Sequence, residues 1–238
     1  MGEWFEEWFG EEYLELYPHR DETDAERLIA LVGRTVPLGA RARVLDICCG
    51  AGRHARAFAD RGHWTVGIDL SRHLLQRAQV VAGIPLVRAD IRQLPFRPGS
   101  FDLAVNLFTS FGYFETDDEH RAALAEMLVP VKAGGWFVLD FLNAEAVSRA
   151  LVPTEVMTTA AGPVTVERWL HEEGRFVIKT ITTPDGRQFM ERVRLLRRDD
   201  LAQMLTAAGG AVVHQFGSYD GAPAGPDQPR VILFVRTG

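Results

Sequence analysis

The segment that most restricts the fold is Val44-Leu45-Asp46-Ile47-Cys48-Cys49-Gly50-Ala51-Gly52-Arg53-His54-Ala55. A short apolar run passes straight into a glycine turn, and the turn opens a helical pattern, so this stretch must go from strand through tight turn to helix. Glycines there let the backbone come against a ligand, and the helix N-terminus presents free amide donors. Taken alone, Gly50-x-Gly52-x-x-Ala55 fits the dinucleotide fingerprint, and it also fits a tight turn that binds nothing.

The chain around this turn alternates in the same way. A helical pattern covers about Thr23 to Val32. Strands are then expected at Arg43 to Ile47, Trp64 to Ile68, Pro85 to Arg88, Phe101 to Asn106 and Trp136 to Phe141. Between them, helices are expected at Arg53 to Arg61, Ser71 to Val81 with Ser71 as cap, and Asp117 to Val129. That order implies a doubly wound, mostly parallel Rossmann-like sheet with helices on both faces. From Val164 the period changes: Val164 to His171, Arg175 to Thr182 and Gln188 to Leu196 read as three hairpin strands joined at Glu173-Gly174 and Pro184-Asp185-Gly186. A helix at Asp199 to Ala208 and strands at Ala211 to Phe216 and Val231 to Arg236 close a seven-stranded sheet. The whole of 1–238 is expected to be one domain: an N-terminal lid in 1–36, a core in 37–145 and 197–238, and an antiparallel β insertion in 150–196.

Acids mark the ends of successive strands: Asp46 after the first, Asp69 in Gly67-Ile68-Asp69-Leu70-Ser71 after the second, Asp90 in Ala89-Asp90-Ile91-Arg92 after the third. Open α/β sheets bind ligands just outside the carboxyl ends of their strands, so three carboxylates are expected at one crevice. Each alone could be a helix cap, which is a poor account of all three.

On these residues the chain resembles the class I S-adenosylmethionine-dependent methyltransferases. Asp46-x-Cys48-Cys49-Gly50-x-Gly52 is similar to that family's first motif, Asp69 to its ribose acid, and Asp90-Ile91 to its adenine contact. Phe101-Asp102 and Lys132-Ala133-Gly134-Gly135 resemble its later landmarks, with Ala133 where the family usually has proline. The resemblance implies S-adenosyl-L-methionine as cofactor. Asp46 would take its ammonium, Cys48, Gly50 and Gly52 would pass close to the methionine portion, Asp69 with Leu70 would meet the ribose, and Asp90 with Ile91 the adenine. Asn106 and Leu107, after the fourth strand, would complete the cofactor side. Because that molecule is a sulfonium cation without phosphate, an acidic and aromatic pocket suits it.

The stretch from Asn106 to Phe114 lies where the family brings methyl and acceptor together, and its aromatic residues either line an acceptor site or plug the sheet edge. Tyr113 is the catalytic candidate. His120 and His171 are weaker candidates for a base, and His54, His63 and His73 read as solvated. In similar enzymes an N-terminal helix closes over the cofactor, which puts Tyr13 and Tyr17 at the site. The i, i+4 spacing of Trp4, Phe5, Trp8 and Phe9 equally fits simple packing of a helix face. Arg192, Arg194, Arg197 and Arg198 read as a solvated face.

Charge and cysteines limit the function classes. Residues 1–26 hold ten acids and one base, while the whole chain carries a net charge of −6. This gives no phosphate-tracking face, so no nucleic-acid partner is expected. An acidic lid disfavours polyanionic acceptors. No apolar run approaches a membrane span, Cys48 and Cys49 are neighbours unsuited to a structural staple, and no metal-ligand spacing exists, which suits a cytoplasmic, metal-free protein. The expected activity is methyl transfer from S-adenosylmethionine to a small-molecule acceptor. An NAD-dependent oxidoreductase and a non-catalytic S-adenosylmethionine-binding module are the alternatives.

Overall fold

The computed structural model describes residues 3–10, 13, 16, 22–159 and 162–238. Its central strands are β1 (Arg43–Ile47), β2 (Trp64–Asp69), β3 (Leu86–Arg88), β4 (Phe101–Asn106) and β5 (Val131–Leu142). The chain closes with β10 (Gly210–Phe216) and β11 (Arg230–Thr237). These seven form one sheet in the order β10-β11-β5-β4-β1-β2-β3. β1, β2, β3, β4 and β5 pair in parallel, and β11 runs against both β5 and β10. The carboxyl ends of β1, β2 and β4 therefore meet along one edge, which is where the crevice lies.

Alternation along each strand sends residues to opposite faces. Leu45, Ile47, Phe137 and Leu139 pack on one side with Leu124 and Met127 of α5 (Asp117–Leu128) and Leu201 and Leu205 of α7 (Arg198–Ala207). Val44, Val105 and Val138 pack on the other with Leu28 and Val32 of α2 (Glu22–Thr35) and Phe58 of α3 (Arg53–Asp60). Each such fully buried side chain is worth about 1.5–3 kcal/mol relative to exposure, so the two layers hold the sheet from both sides. Helix α4 (Arg72–Ala82) begins at Ser71, whose hydroxyl accepts from Leu74 N. Helix α5 begins at a capping box of Thr116 and Glu119.

The insertion is larger than its alternation indicates. It is a four-stranded antiparallel sheet of β6 (Thr154–Thr159), β7 (Gly162–His171), β8 (Phe176–Thr182) and β9 (Gln188–Arg194). Strand β6 has too few buried positions to announce itself, and a short helix α6 (Ala144–Ala150), capped by Asn143, precedes it. Lys132 to Gly135 lies inside β5 rather than before it, at a register shift against β4. Nor are Arg192 and Arg194 solvated. The Arg192 guanidinium lies 3.7 Å from the Phe176 ring centroid, and Arg194 pairs with Asp117 at 3.1 Å, because both arginines cover that buried aromatic ring.

The N-terminal α1 (Trp4–Trp8) has only five residues and no side-chain cap, so tertiary contacts must hold it. Trp8 is 1% exposed and packs with Leu74 of α4 and with Val164, Val166 and Ile181 of the insertion. Its indole donates to Glu191 at 2.7 Å, and the Ser71 hydroxyl donates to Phe9 O. The segment thus ties the core to the insertion.

Candidate active site

The turn after β1 is built on left-handed backbone: φ is 60° at Cys48, 55° at Gly50 and 84° at Gly52. A Cβ on Gly50 would meet nothing within 4 Å, so open space lies above the turn. Asp69 locks the turn to β2, accepting from Gly50 N and from Ser71 N, each at 2.8 Å. Burial pushes its carboxyl up, and these amides pull it back.

Asp46, 1% exposed at the end of β1, has one carboxylate oxygen with no hydrogen-bond partner. Burial pushes it up to about 7. The backbone of Ala55 and the Arg53 guanidinium lower it, and Asp69 raises it further. A half-satisfied buried carboxylate of this kind is a receptor for a cationic donor. Asp90 sits nearer solvent and is bound by Arg92, which pairs with Asp90 at 2.5 Å and with Glu3 at 2.8 Å. Burial raises the Asp90 carboxyl, but hydrogen bonds from Arg92 outweigh it and the group lies below the usual carboxylate range. All three acids are close enough to Cys48 to push its thiol up beyond what burial does.

Asn106, fully buried, donates to Ile47 O at 3.1 Å and Ser110 O at 3.3 Å, and its Oδ1 has no partner. The side chains of Leu107 and Ile91 pack into the core layers, leaving their main chain for a ligand. Leu70 O accepts from Arg88 Nε at 2.9 Å. The Tyr13 ring packs edge-on against Trp8 and Phe9. Tyr17 lies outside the described residues.

Beyond Asn106 the chain turns sharply: Phe108 and Thr109 both have positive φ, 60° and 62°. Such conformations cost non-glycine residues roughly 1–3 kcal/mol each and persist only where the surroundings impose them. Here Asp140 does so. Its carboxylate accepts from Phe108 N at 2.9 Å and its carbonyl from Thr109 N at 2.9 Å. The same fully buried carboxylate accepts from Tyr219 OH at 2.9 Å and Arg230 Nε at 2.8 Å. The Arg53 and Arg230 guanidiniums lie 4.2 and 5.6 Å from the Phe108 ring centroid.

A cavity of about 520 Å³ opens beside Phe108, which lines it. Its walls are Trp4 and Phe9 of the N-terminal segment, Thr109 and Tyr113 of the loop, Val147 of α6, and Arg168, Lys179 and Glu191 of the insertion. Tyr113 faces it, and its hydroxyl donates to Thr109 O at 2.7 Å. The ring lies 5.0 Å from that of Trp4 and 6.0 Å from that of Phe5, so loop and N-terminal segment form one aromatic wall. His120 does not reach the cavity: it is buried between Phe111 and Phe114 with Nδ1 2.7 Å from Thr116 O. His171 is exposed beside Glu172. His54, expected in solvent, is 5% exposed, and burial drives its imidazole well below its ordinary value.

Sequence reasoning missed Asp140, Arg230 and Arg53. Asp140 had a signal, being a lone carboxylate within the apolar run Trp136 to Leu142. Arg230 had none, since only the antiparallel return of β11 beside β5 brings it there.

Residues 44–135 match the family profile described as a methyltransferase domain. That stretch, about two fifths of the chain, carries its similarity to the S-adenosylmethionine-dependent methyltransferases. It is 28% identical, over 82% of its length and 83% of the relative's, to the cypemycin N-terminal methyltransferase of a Streptomyces species. Over 41% of each chain it is 33% identical to the dTDP-3-amino-3,4,6-trideoxy-alpha-D-glucopyranose N,N-dimethyltransferase of Streptomyces venezuelae, so it spans about two fifths of that relative. Among solved structures, an S-adenosylmethionine-dependent methyltransferase from Clostridium acetobutylicum superposes with a TM-score of 0.81 at 18% identity, covering 95% of this chain and 98% of that one, which shows a shared fold.

The residues present fit this methyltransferase family's cofactor. The orphaned Asp46 oxygen suits an ammonium group, the open space over Gly50 admits a ligand against the backbone, and a carboxylate beside the turn would repel a pyrophosphate. No group of three His, Cys, Asp or Glu among the described residues is placed to hold a metal ion.

Proposed function

We propose that the protein transfers the methyl group of S-adenosylmethionine to a small-molecule acceptor seated in the cavity beside Phe108. The observation that carries this reading is the shared wall: the loop from Asn106 to Tyr113 closes the acidic crevice on one side and lines the cavity on the other.

When bound, S-adenosylmethionine supplies an activated methyl on a sulfonium. The chain's own residues orient and exclude. Asp46 holds the ammonium, Asp69 meets the ribose while keeping the Gly50 turn in place, and Asp90 with the Ile91 main chain meets the adenine. Arg53, at the first position of α3, lies against the Phe108 ring and acts on the Asp46 carboxyl. Methyl transfer is an in-line displacement whose acceleration comes largely from holding acceptor and methyl in line and close. Tyr113 serves here by position, forming the wall against which the acceptor rests with its hydroxyl engaged by Thr109 O.

No helix among the described residues is long and apolar enough to cross a membrane, and both cysteines are free thiols, which supports a cytoplasmic site of action. The walled cavity supports a compact acceptor over a nucleic-acid strand. Calorimetry with S-adenosylhomocysteine, with NAD in parallel, tests the reading. Micromolar binding of the first and none of the second is expected, about −8 kcal/mol at 1 μM. Binding of NAD alone would overturn it.

A further inference from the structure

Three cations stand in the cavity wall, and two are engaged across the insertion: Arg168 pairs with Glu155 at 2.8 Å and Lys179 with Glu191 at 3.2 Å. Arg230 is held differently. Its Nε donates to Asp140, the only side-chain hydrogen bond it makes among the described residues, and its Nη2 is buried with no acceptor. Asp140 takes Tyr219 OH and Phe108 N on its other oxygen, so the guanidinium is held through Nε alone, and Arg230 is among the residues that line the cavity. A second buried polar atom without a partner lies on the same wall, Thr109 Oγ1. Its residue is forced into left-handed backbone by that same Asp140.

Two orphaned donors in the wall of one cavity each carry an unmet desolvation cost, which an acceptor atom of a ligand would recover. Arg230 lines the cavity and Arg53 does not, while Arg53 acts on the Asp46 carboxyl, so Arg230 serves the cavity rather than the cofactor crevice.

We propose that the Nη edge of Arg230 and the Thr109 hydroxyl form an oxyanion subsite, and that the molecule methylated carries a carboxylate. The inference rests on the cavity being the acceptor site. A carboxylate fits better than a phosphate for two reasons. Its two oxygens match the parallel donors of a guanidinium edge. Every cation of the wall already faces a carboxylate, Arg230 facing Asp140 and the others Glu155 and Glu191, so the wall offers directed donors rather than net positive charge, which favours the anion of lower charge.

The test is calorimetric titration with benzoate and its neutral isostere benzamide, on protein with and without S-adenosylhomocysteine, with inorganic phosphate as a third probe. Benzoate is expected to bind at least about tenfold tighter than benzamide or phosphate. Arg230→Gln should remove that preference, and Arg230→Lys should restore only part of it because the ammonium has no fork. Arg230→Gln strands Asp140 and can fail to fold. Thr109→Val leaves the Asp140–Arg230 pair intact and should weaken benzoate about three- to tenfold while moving benzamide less than twofold. Equal binding of benzoate and benzamide, tighter binding of phosphate, or benzoate affinity unchanged in Thr109→Val and Arg230→Lys overturns the subsite. Failure of S-adenosylhomocysteine to bind strikes the cofactor assignment instead, because the benzoate titrations of the unliganded protein still read the subsite.

Discussion

The acidic crevice and the cavity share the loop from Asn106 to Tyr113 but are built by different means. The crevice is made where parallel strands end, and main-chain hydrogen bonds fix it: Asp69 takes Gly50 N and Ser71 N, Cys49 N donates to Ile68 O, and Gly52 N to Cys49 O. The cavity is assembled from five separate stretches, the N-terminal aromatics, the loop, α6, the insertion sheet and the start of β11, joined by side chains such as Trp8 to Glu191 and Arg230 to Asp140. A site fixed by backbone can be shared by many relatives, whereas one fixed by side chains can be retuned one residue at a time. Mutations should therefore separate the two: crevice variants should act on cofactor affinity and cavity variants on acceptor KM.

The largest effect is expected from Asp69→Ala. It would remove the proposed ribose contact and it releases the Gly50 and Ser71 amides, so S-adenosylhomocysteine affinity should fall about 100-fold, near 2.7 kcal/mol. A fall of less than threefold in calorimetry would mean the crevice is not the cofactor site. Arg194→Ala should leave that affinity alone and act on thermal stability, since Arg194 shields Phe176 and pairs with Asp117.

Asp46→Asn comes next, with a loss of about tenfold and a changed pH profile. The Asp46 carboxyl of the unliganded protein lies at about 7. A neighbouring ammonium favours the ionised form, so the bound protein holds the proton less tightly than the free one and binding below pH 7 releases a proton. Affinity should therefore fall as pH drops below 7, approaching tenfold per unit, until the pKa of the complex is reached. Deprotonation of the ligand's amino group sets a separate alkaline limb. Asp46→Asn should flatten the acid limb and keep the alkaline one. An acid limb that persists in the variant would take Asp46 away from the ammonium.

How far each region was legible in the sequence follows from the same contrast. Asp46, Gly50, Gly52, Asp69 and Asp90 stand at fixed offsets from strands whose apolar runs are plain, so local pattern places them at one sheet edge. Local pattern has no hold on Arg230, brought beside Asp140 by an antiparallel return, or on β6, whose side chains are mostly exposed. It also misjudged Arg192 and Arg194, because alternation gives a side chain's face but not whether a ring such as Phe176 lies there needing cover. His54 was misread for a similar reason: its place early in a helix is visible, but the packing of α3 against the sheet is not.

On the cavity side, Tyr113→Phe keeps the ring that meets Trp4 and Phe5 and loses only the bond to Thr109 O, so acceptor kcat should drop less than about fivefold with cofactor affinity unchanged. Tyr113→Ala opens the aromatic wall and should raise acceptor KM more than it lowers kcat. A Tyr113→Phe variant dead in kcat, with a lost basic limb in its pH profile, would instead make the hydroxyl a general base.

The smallest effect should come from Arg92→Gln, and it is the variant that probes a charged link between the regions outside the loop. Arg92 joins Asp90, at the crevice edge, to Glu3, just ahead of α1, whose Trp4 lines the cavity. The partners are 28% to 42% exposed, and pairs of that kind are worth about 0–1 kcal/mol after screening. Cofactor affinity should therefore shift no more than about threefold, and less at high salt. Loss of Arg92 also frees Asp90 to rise toward its ordinary range, which matters little above pH 5 because the group stays ionised. If the variant instead weakened cofactor and acceptor together by tenfold or more, the Asp90–Arg92–Glu3 chain would be what closes the N-terminal segment over both sites. Crevice and cavity would then be one cooperative unit, not two regions that merely share a wall.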